Sequence, residues 1–176
     1  LNLRVDQAIT NTATPCLPVG VDIVTALHAC DTATDDVIRF ALSVKARFIV
    51  LVPCCQAEVA AVLRKNKTSA DSAKPLAAIW RHPLHTREFG SHLTNVLRCL
   101  QLESHGYQVT VTELVGWEHS MKNELIIASR NKDVPRRRAA EKIDALLNEL
   151  GLSSLQTRFF THLERSSCST GSAPAV

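Results

Sequence analysis

Two short segments concentrate side chains able to do chemistry: Leu27-His28-Ala29-Cys30-Asp31 and Pro53-Cys54-Cys55-Gln56. Imidazole, thiol and carboxylate groups can hold or move a proton, orient an acceptor or ligate a metal. Each segment closes an apolar run, Val21 to Ala29 and Arg47 to Val52, and such runs read as strands buried on both faces of a parallel sheet. Ligands of open parallel sheets bind outside the carboxyl ends of the strands, so both segments should face one crevice.

Three readings of these residues stay open. In the first they form a substrate-facing active site: His28 or Asp31 orients or deprotonates an acceptor, while Cys30, Pro53, Cys54, Cys55 and Gln56 shape the pocket. In the second, His28, Cys30, Cys54 and Cys55 ligate zinc. Adjacent cysteines seldom both reach one ion, and the short spacing usual between zinc ligands is missing, so no metal is expected. In the third, the cysteines are small core hydrophobes and the histidine is an ordinary hydrogen-bonded one.

The elements that must position these groups follow from periodicity. Between the two strands Val37, Ile38, Ala41 and Leu42 make a helical stripe, with Asp31 or Thr32 available as cap and Asp35 and Asp36 in the first turn. A second helix is expected from Ala57 to about Lys65, then a polar surface loop from Asn66 to Pro75. Leu93, Val96, Leu97, Leu100 and Leu102 give a further helix that stops at His105-Gly106. Strands starting at Tyr107 and at Glu124 are joined by a link, Gly116 to Lys122, too short for a crossover helix, so they must pair antiparallel. Pro135 to Leu150 reads as a helix with Ile143, Leu146, Leu147 and Leu150 on one face and Gly151 closing it. One domain is expected over residues 1–150, with an extension over 151–176 whose polar end, Ser166 to Val176, frays.

Composition fits this α/β plan. The chain has 176 residues, 45% hydrophobic and 21% charged, which suits a packed domain and is too apolar for intrinsic disorder. Its net charge of +3 admits an anionic partner such as RNA without requiring one. Six scattered cysteines and strand-sized apolar runs indicate a reduced, cytoplasmic protein and no membrane span. Leu1, Leu3 and Val5 alternate like a strand already under way, so the reading expects a fragment whose N-terminal part is missing.

Three further groups carry candidate contacts. Arg81 opens Arg81-His82-Pro83-Leu84-His85-Thr86-Arg87, ahead of a helix and beside Trp80, and could grip a phosphate or a carboxylate. Trp117 and His119 lie in the link between the antiparallel strands, where the indole could stack on a base or simply pack as a lid. Lys132 to Arg138 is a basic run at a helix start, where the dipole prefers acids; it hints at an anionic partner or is an ordinary solvated terminus.

Val21 to Asp35, Val52-Pro53-Cys54-Cys55 and Lys122 to Ile127, taken in order, resemble the later motifs of the class I S-adenosylmethionine-dependent methyltransferases, in the group similar to the tRNA 2′-O-methyltransferases. The resemblance covers residues 1–130. It implies a three-layer, Rossmann-like sheet of seven strands, mostly parallel with the last strand antiparallel, here truncated at the N-terminus. It further implies S-adenosylmethionine as cofactor, with Leu1 to Val5 as the third strand and Asp6 and Gln7 near the adenine. His28 to Asp31 would lie beside the methyl donor, and Pro53 to Gln56 at the next strand end. By the same likeness, the glycine-rich turn and the acidic residue that hold methionine and ribose would precede Leu1. The methyl acceptor is not identified by it. A non-catalytic RNA-binding remnant and a nicotinamide-dependent oxidoreductase remain the rival readings, distinguished by the turn upstream.

Overall fold

A computed structural model of the chain describes residues 20–27, 29–54, 56–66, 78–79, 81–116 and 123–159. The described chain runs β1 (Ile23–Leu27), α1 (Ala33–Ser43), β2 (Phe48–Val52), α2 (Glu58–Asn66), α3 (Pro83–Ser104), β3 (Tyr107–Glu113), β4 (Glu124–Arg130), α4 (Arg136–Glu149), a 3-10 turn (Ser153–Leu155) and α5 (Gln156–Phe159). The four strands form one sheet in the order β1-β2-β4-β3. β1 and β2 are parallel, with Ile23 opposite Phe48 and Leu27 opposite Val52. β4 lies antiparallel to both neighbours, pairing Leu51 with Ile126 on one side and Val109 with Ala128 on the other. The antiparallel pairing expected of the last two strands is therefore present at one edge, and β4 alone runs against the rest.

One face of the sheet builds the first core. Val24, Ala26, Ile49, Leu51, Ile126 and Ala128 share that face and pack under Ile38, Ala41 and Leu42 of α1 and Leu102 of α3. Among the described residues nothing covers the opposite face of β1: Ile23 is 54% and Leu27 67% exposed. The expectation that this strand is buried on both faces is corrected here. Helical cover lies over alternate residues only, so the near-continuous apolar run reports composition rather than two-sided burial.

A second core is purely helical. Val59 and Leu63 of α2, Leu93, Leu97 and Leu100 of α3, and Ala139, Ile143 and Leu147 of α4 interlock there. Leu152, Leu155 and Phe159 complete it beyond α4. Arg158 clamps Glu58 through two bonds, Nε to Oε2 at 3.0 Å and Nη2 to Oε1 at 2.9 Å, tying α5 to α2. Val96, expected in the stripe of α3, is instead half exposed, because that helix buries two other faces, one against each core. At Gly90 the two helices touch closely: a Cβ there would stand 2.8 Å from the backbone nitrogen of Ala60. Gly106 and Gly151 stop α3 and α4 with φ of 85° and 67°, as their places at the helix ends suggest. Among the described residues no helix is long and apolar enough to cross a membrane.

Candidate active site

The carboxyl ends of β1 and β2 lie side by side, since Leu27 is the register partner of Val52. Just past β1, Cys30 is exposed and Asp31 half buried. Pro53 is buried and Cys54 half buried at the end of β2. His28 and Cys55 lie outside the described residues, as do Asp6, Gln7, Trp117 and His119. Among the described residues no three His, Cys, Asp or Glu side chains group as a metal site.

Asp31 is the hinge of the arrangement. Its backbone adopts φ 49°, the left-handed region that an L-residue other than glycine enters at a cost of order 1 kcal/mol. Two bonds hold it there. The main-chain N–H of Ala57 donates to Oδ1 at 3.1 Å, and Nη2 of Arg98 donates to the carbonyl oxygen at 2.8 Å. Asp31 was a candidate cap for α1, and this is corrected: its carboxylate instead meets the chain immediately before α2, where the positive end of the helix dipole favours it. Thr32 occupies the N-cap position of α1 without a side-chain cap bond. The neighbouring Thr34 hydroxyl donates to the carbonyl of Ala29 and secures the strand end from within the first turn.

Behind Asp31 stands a buried polar network. Arg98 of α3 donates bidentately to Asp35, Nε to Oδ1 at 2.7 Å and Nη2 to Oδ2 at 2.9 Å, and both side chains are at most 5% exposed. Its Nη1 reaches Oδ1 of Asn95 at 3.2 Å, and the same oxygen accepts from Nε2 of Gln56 at 3.1 Å. Asn95 donates to Glu124 at the start of β4 at 2.7 Å, and Ser91 donates to Oε1 of Gln56 at 2.7 Å. Five elements thus meet through side chains: the strand-end turn, α1, the start of α2, α3 and β4. The amide of Gln56 is engaged at both ends inside this network.

Sequence reading did not reach Arg98, Asn95, Ser91 or the inward role of Asp35. The signal was present in the spacing: Asn95 and Arg98 stand three residues apart on α3, among apolar positions. A charged residue on such a face demands a buried partner. Asp35 was read only as a favourable first-turn charge.

Next to Arg98, the Cys99 thiol is pushed up to about 12, first by burial and then by the nearby Glu124 and Glu103 carboxylates. It is therefore a neutral packing group rather than a nucleophile. Arg81 is exposed immediately before α3, and His82 is the N-cap residue of that helix. The basic cluster thus straddles the start of the helix rather than preceding it. Pro83 takes the first position, and the rings of His82 and His85 meet edge on at 5.3 Å.

Comparison with curated proteins and with solved structures gave no match. Residues 2–62 match a family model described as a methyltransferase domain. That span contains the whole β1-α1-β2 unit, both strand ends and the first turn of α2. It supports a methyltransferase family for this chain.

Proposed function

We propose that the chain transfers a methyl group from S-adenosylmethionine to an acceptor, at the crevice outside β1 and β2. The observation that carries this reading is the coincidence of the methyltransferase-domain match over residues 2–62 with the unit whose strand ends present Cys30, Asp31, Pro53 and Cys54. The strand order agrees with it, because the resemblance implies a last strand running against an otherwise parallel sheet.

The chemistry at this end suits the cofactor. Asp31, Asp35 and Glu124 supply carboxylates, and the one buried cation among the described residues, Arg98, is committed to Asp35, Asn95 and the Asp31 carbonyl. A sulfonium cation meets no buried repelling charge there. When bound, S-adenosylmethionine supplies an electrophilic methyl group. Under this proposal Asp6 and Gln7 border the adenine, and His28 stands between donor and acceptor as base or orienter. Asp31 aligns the acceptor. Cys30, Pro53, Cys54 and Cys55 line the acceptor side, with Gln56 fixing the second strand end behind them. Arg81, Trp117 and His119 would contact the acceptor from the rim. RNA is the first acceptor to test, with small molecules as the second pool.

Direct tests are calorimetry with S-adenosylmethionine and transfer of a labelled methyl group to bulk RNA and to small-molecule pools. Replacing Asp31 by Ala should lower turnover roughly 100-fold or more while changing cofactor affinity much less, as expected of a group that acts on the acceptor. Full activity in that variant would remove Asp31 from the mechanism. Absence of methyl transfer from a chain that includes the cofactor-gripping turn would sink the whole reading.

A further inference from the structure

The end of the sheet remote from Asp31 gathers cations from three separate elements. Lys45 turns the chain between α1 and β2 in left-handed backbone, Arg47 precedes β2 and Arg130 ends β4. They are neighbours in space: the main-chain N–H of Arg130 donates to the carbonyl of Arg47 at 2.9 Å, and its Nη1 reaches the carbonyl of Lys45 at 3.4 Å. Asn131 then donates to the carbonyl of Gly106 at 2.9 Å. The Arg136 guanidinium covers that same glycine, so closely that a Cβ on residue 106 would stand 2.6 Å from its Nε. Lys132, two residues past Arg130, and Arg138, in the first turn of α4, flank these four in sequence, and all six side chains of this belt are exposed.

The acids beside the belt do not balance it. Asp22 adjoins Arg47 through the bond from the Phe48 N–H to its carbonyl, and Asp133 follows Lys132. Glu141 is taken by Arg137, outside the belt, at 2.8 Å. Glu103, at the end of α3, is only partly exposed. Residues more than 80 positions apart in sequence thus converge on one surface with one sign, which raises the local potential for anions.

We propose that this belt binds the phosphodiester backbone of a nucleic acid. Four of its six members are arginines, whose planar forks suit phosphate oxygens. A bilayer is disfavoured by the packing of α4: Ala139, Ile143 and Leu147, the apolar face of the basic helix, are buried in the helical core and cannot enter lipid. The strands separate the belt from the crevice by roughly 15 Å at about 3.3 Å per residue, so contact here positions a polymer without touching the reacting groups. The proposal stands apart from the methyl-transfer reading, because it concerns binding alone.

The test is fluorescence anisotropy with labelled 20-nucleotide RNA and DNA strands and this chain. Affinity should fall about 100-fold or more between 50 and 200 mM salt, the dependence of order 0.7 per phosphate for some six contacts on a single strand. Two double variants, R47E/R130E and K132E/R138E, should each weaken binding at least ten-fold and flatten the salt slope, with unchanged circular dichroism. The second pair, Lys132 on a turn and Arg138 in the first turn of α4, is exposed and remains informative should the first disturb β4. Unchanged affinity in a folded pair, no binding to either strand, or binding to anionic vesicles but not to oligonucleotides would each overturn the proposal.

Discussion

The two ends of the sheet treat polar side chains in opposite ways. At the carboxyl ends of β1 and β2, Asp35, Gln56, Asn95 and Arg98 are buried and bonded to one another. At the other end Lys45, Arg47, Arg130 and Lys132 are exposed and share one sign. Buried polar groups must be paired to offset their desolvation, so the first end has one permitted geometry, and that geometry fixes Asp31 in its left-handed turn. Exposed cations carry no such requirement and leave their chemistry available to a partner. Substitutions at the first end should therefore cost stability, and those at the second end should cost binding.

The sharpest way to break this contrast is to remove one half of the buried ion pair. Arg98→Met leaves Asp35 buried without its bidentate partner and should lower stability by about 3–5 kcal/mol, read as the urea midpoint. The double variant Asp35→Leu with Arg98→Met removes both charges and should recover most of that loss. If the single variant costs less than about 1 kcal/mol, the network does not hold this end together. Asn95→Ala is the next step down. It deprives Gln56 and Arg98 of a shared acceptor and Glu124 of a donor, for an expected loss of about 1–3 kcal/mol in the same measurement.

How far this contrast could be read from the sequence differs between its halves. The strand ends themselves were legible: Val21 to Ala29 and Arg47 to Val52 announced β1 and β2, and the short link after Val115 required β3 and β4 to pair antiparallel. The stop glycines at 106 and 151 were equally plain. The network was not, because it is a tertiary event. Asp35 shares its side of α1 with Ile38 and Leu42, three and seven residues on, but that spacing names no partner, and Arg98 finds it across 63 residues. The basic run from Lys132 was visible, but its meeting with Lys45 and Arg47 depends on β4 lying next to β2, which the sequence did not dictate. The crossing of two cores on α3 likewise hid which of its apolar residues would stay outside.

A pH experiment sharpens the first end further. Burial raises the Cys99 thiol from its ordinary 9.0 to about 12, so the unfolded chain releases this proton first as pH rises. With fewer protons on the unfolded state, stability should be indifferent to this group up to about pH 9 and decline from there towards pH 12. At pH 10 the loss is of order 1.4 kcal/mol, the equivalent of one unit above the unfolded value. Burial likewise raises Tyr107, which adds to the decline above its ordinary 10.0. Cys99→Ala should remove the part that begins near pH 9 while leaving the tyrosine part, and alkylation of Cys99 should lag far behind that of the exposed Cys30 at pH 8. Equal labelling rates would show that the thiol is not held inside.

The smallest effect belongs to the exposed end and is a test of the contrast by its near absence. Arg137 and Glu141 approach to 2.8 Å on α4, with side chains 93% and 61% exposed, which is the geometry of a hydrogen-bonded ion pair in full contact with water. The Coulomb gain at such a site is screened, and holding two long side chains in one rotamer pair offsets much of the rest, leaving about 0.3–0.5 kcal/mol for a helical pair four residues apart. Arg137→Ala should therefore lower the stability obtained from urea unfolding by no more than that amount, and the loss should vanish in about 1 M salt, where the screening length is near 3 Å. Its distance is close to that of the Arg98 to Asp35 pair, 2.7 Å, yet the expected costs differ roughly ten-fold because only the inner pair leaves an uncompensated charge in the core when it is broken. A loss above 2 kcal/mol in Arg137→Ala would mean that the exposed end carries structural weight, and that separation length rather than burial governs both pairs.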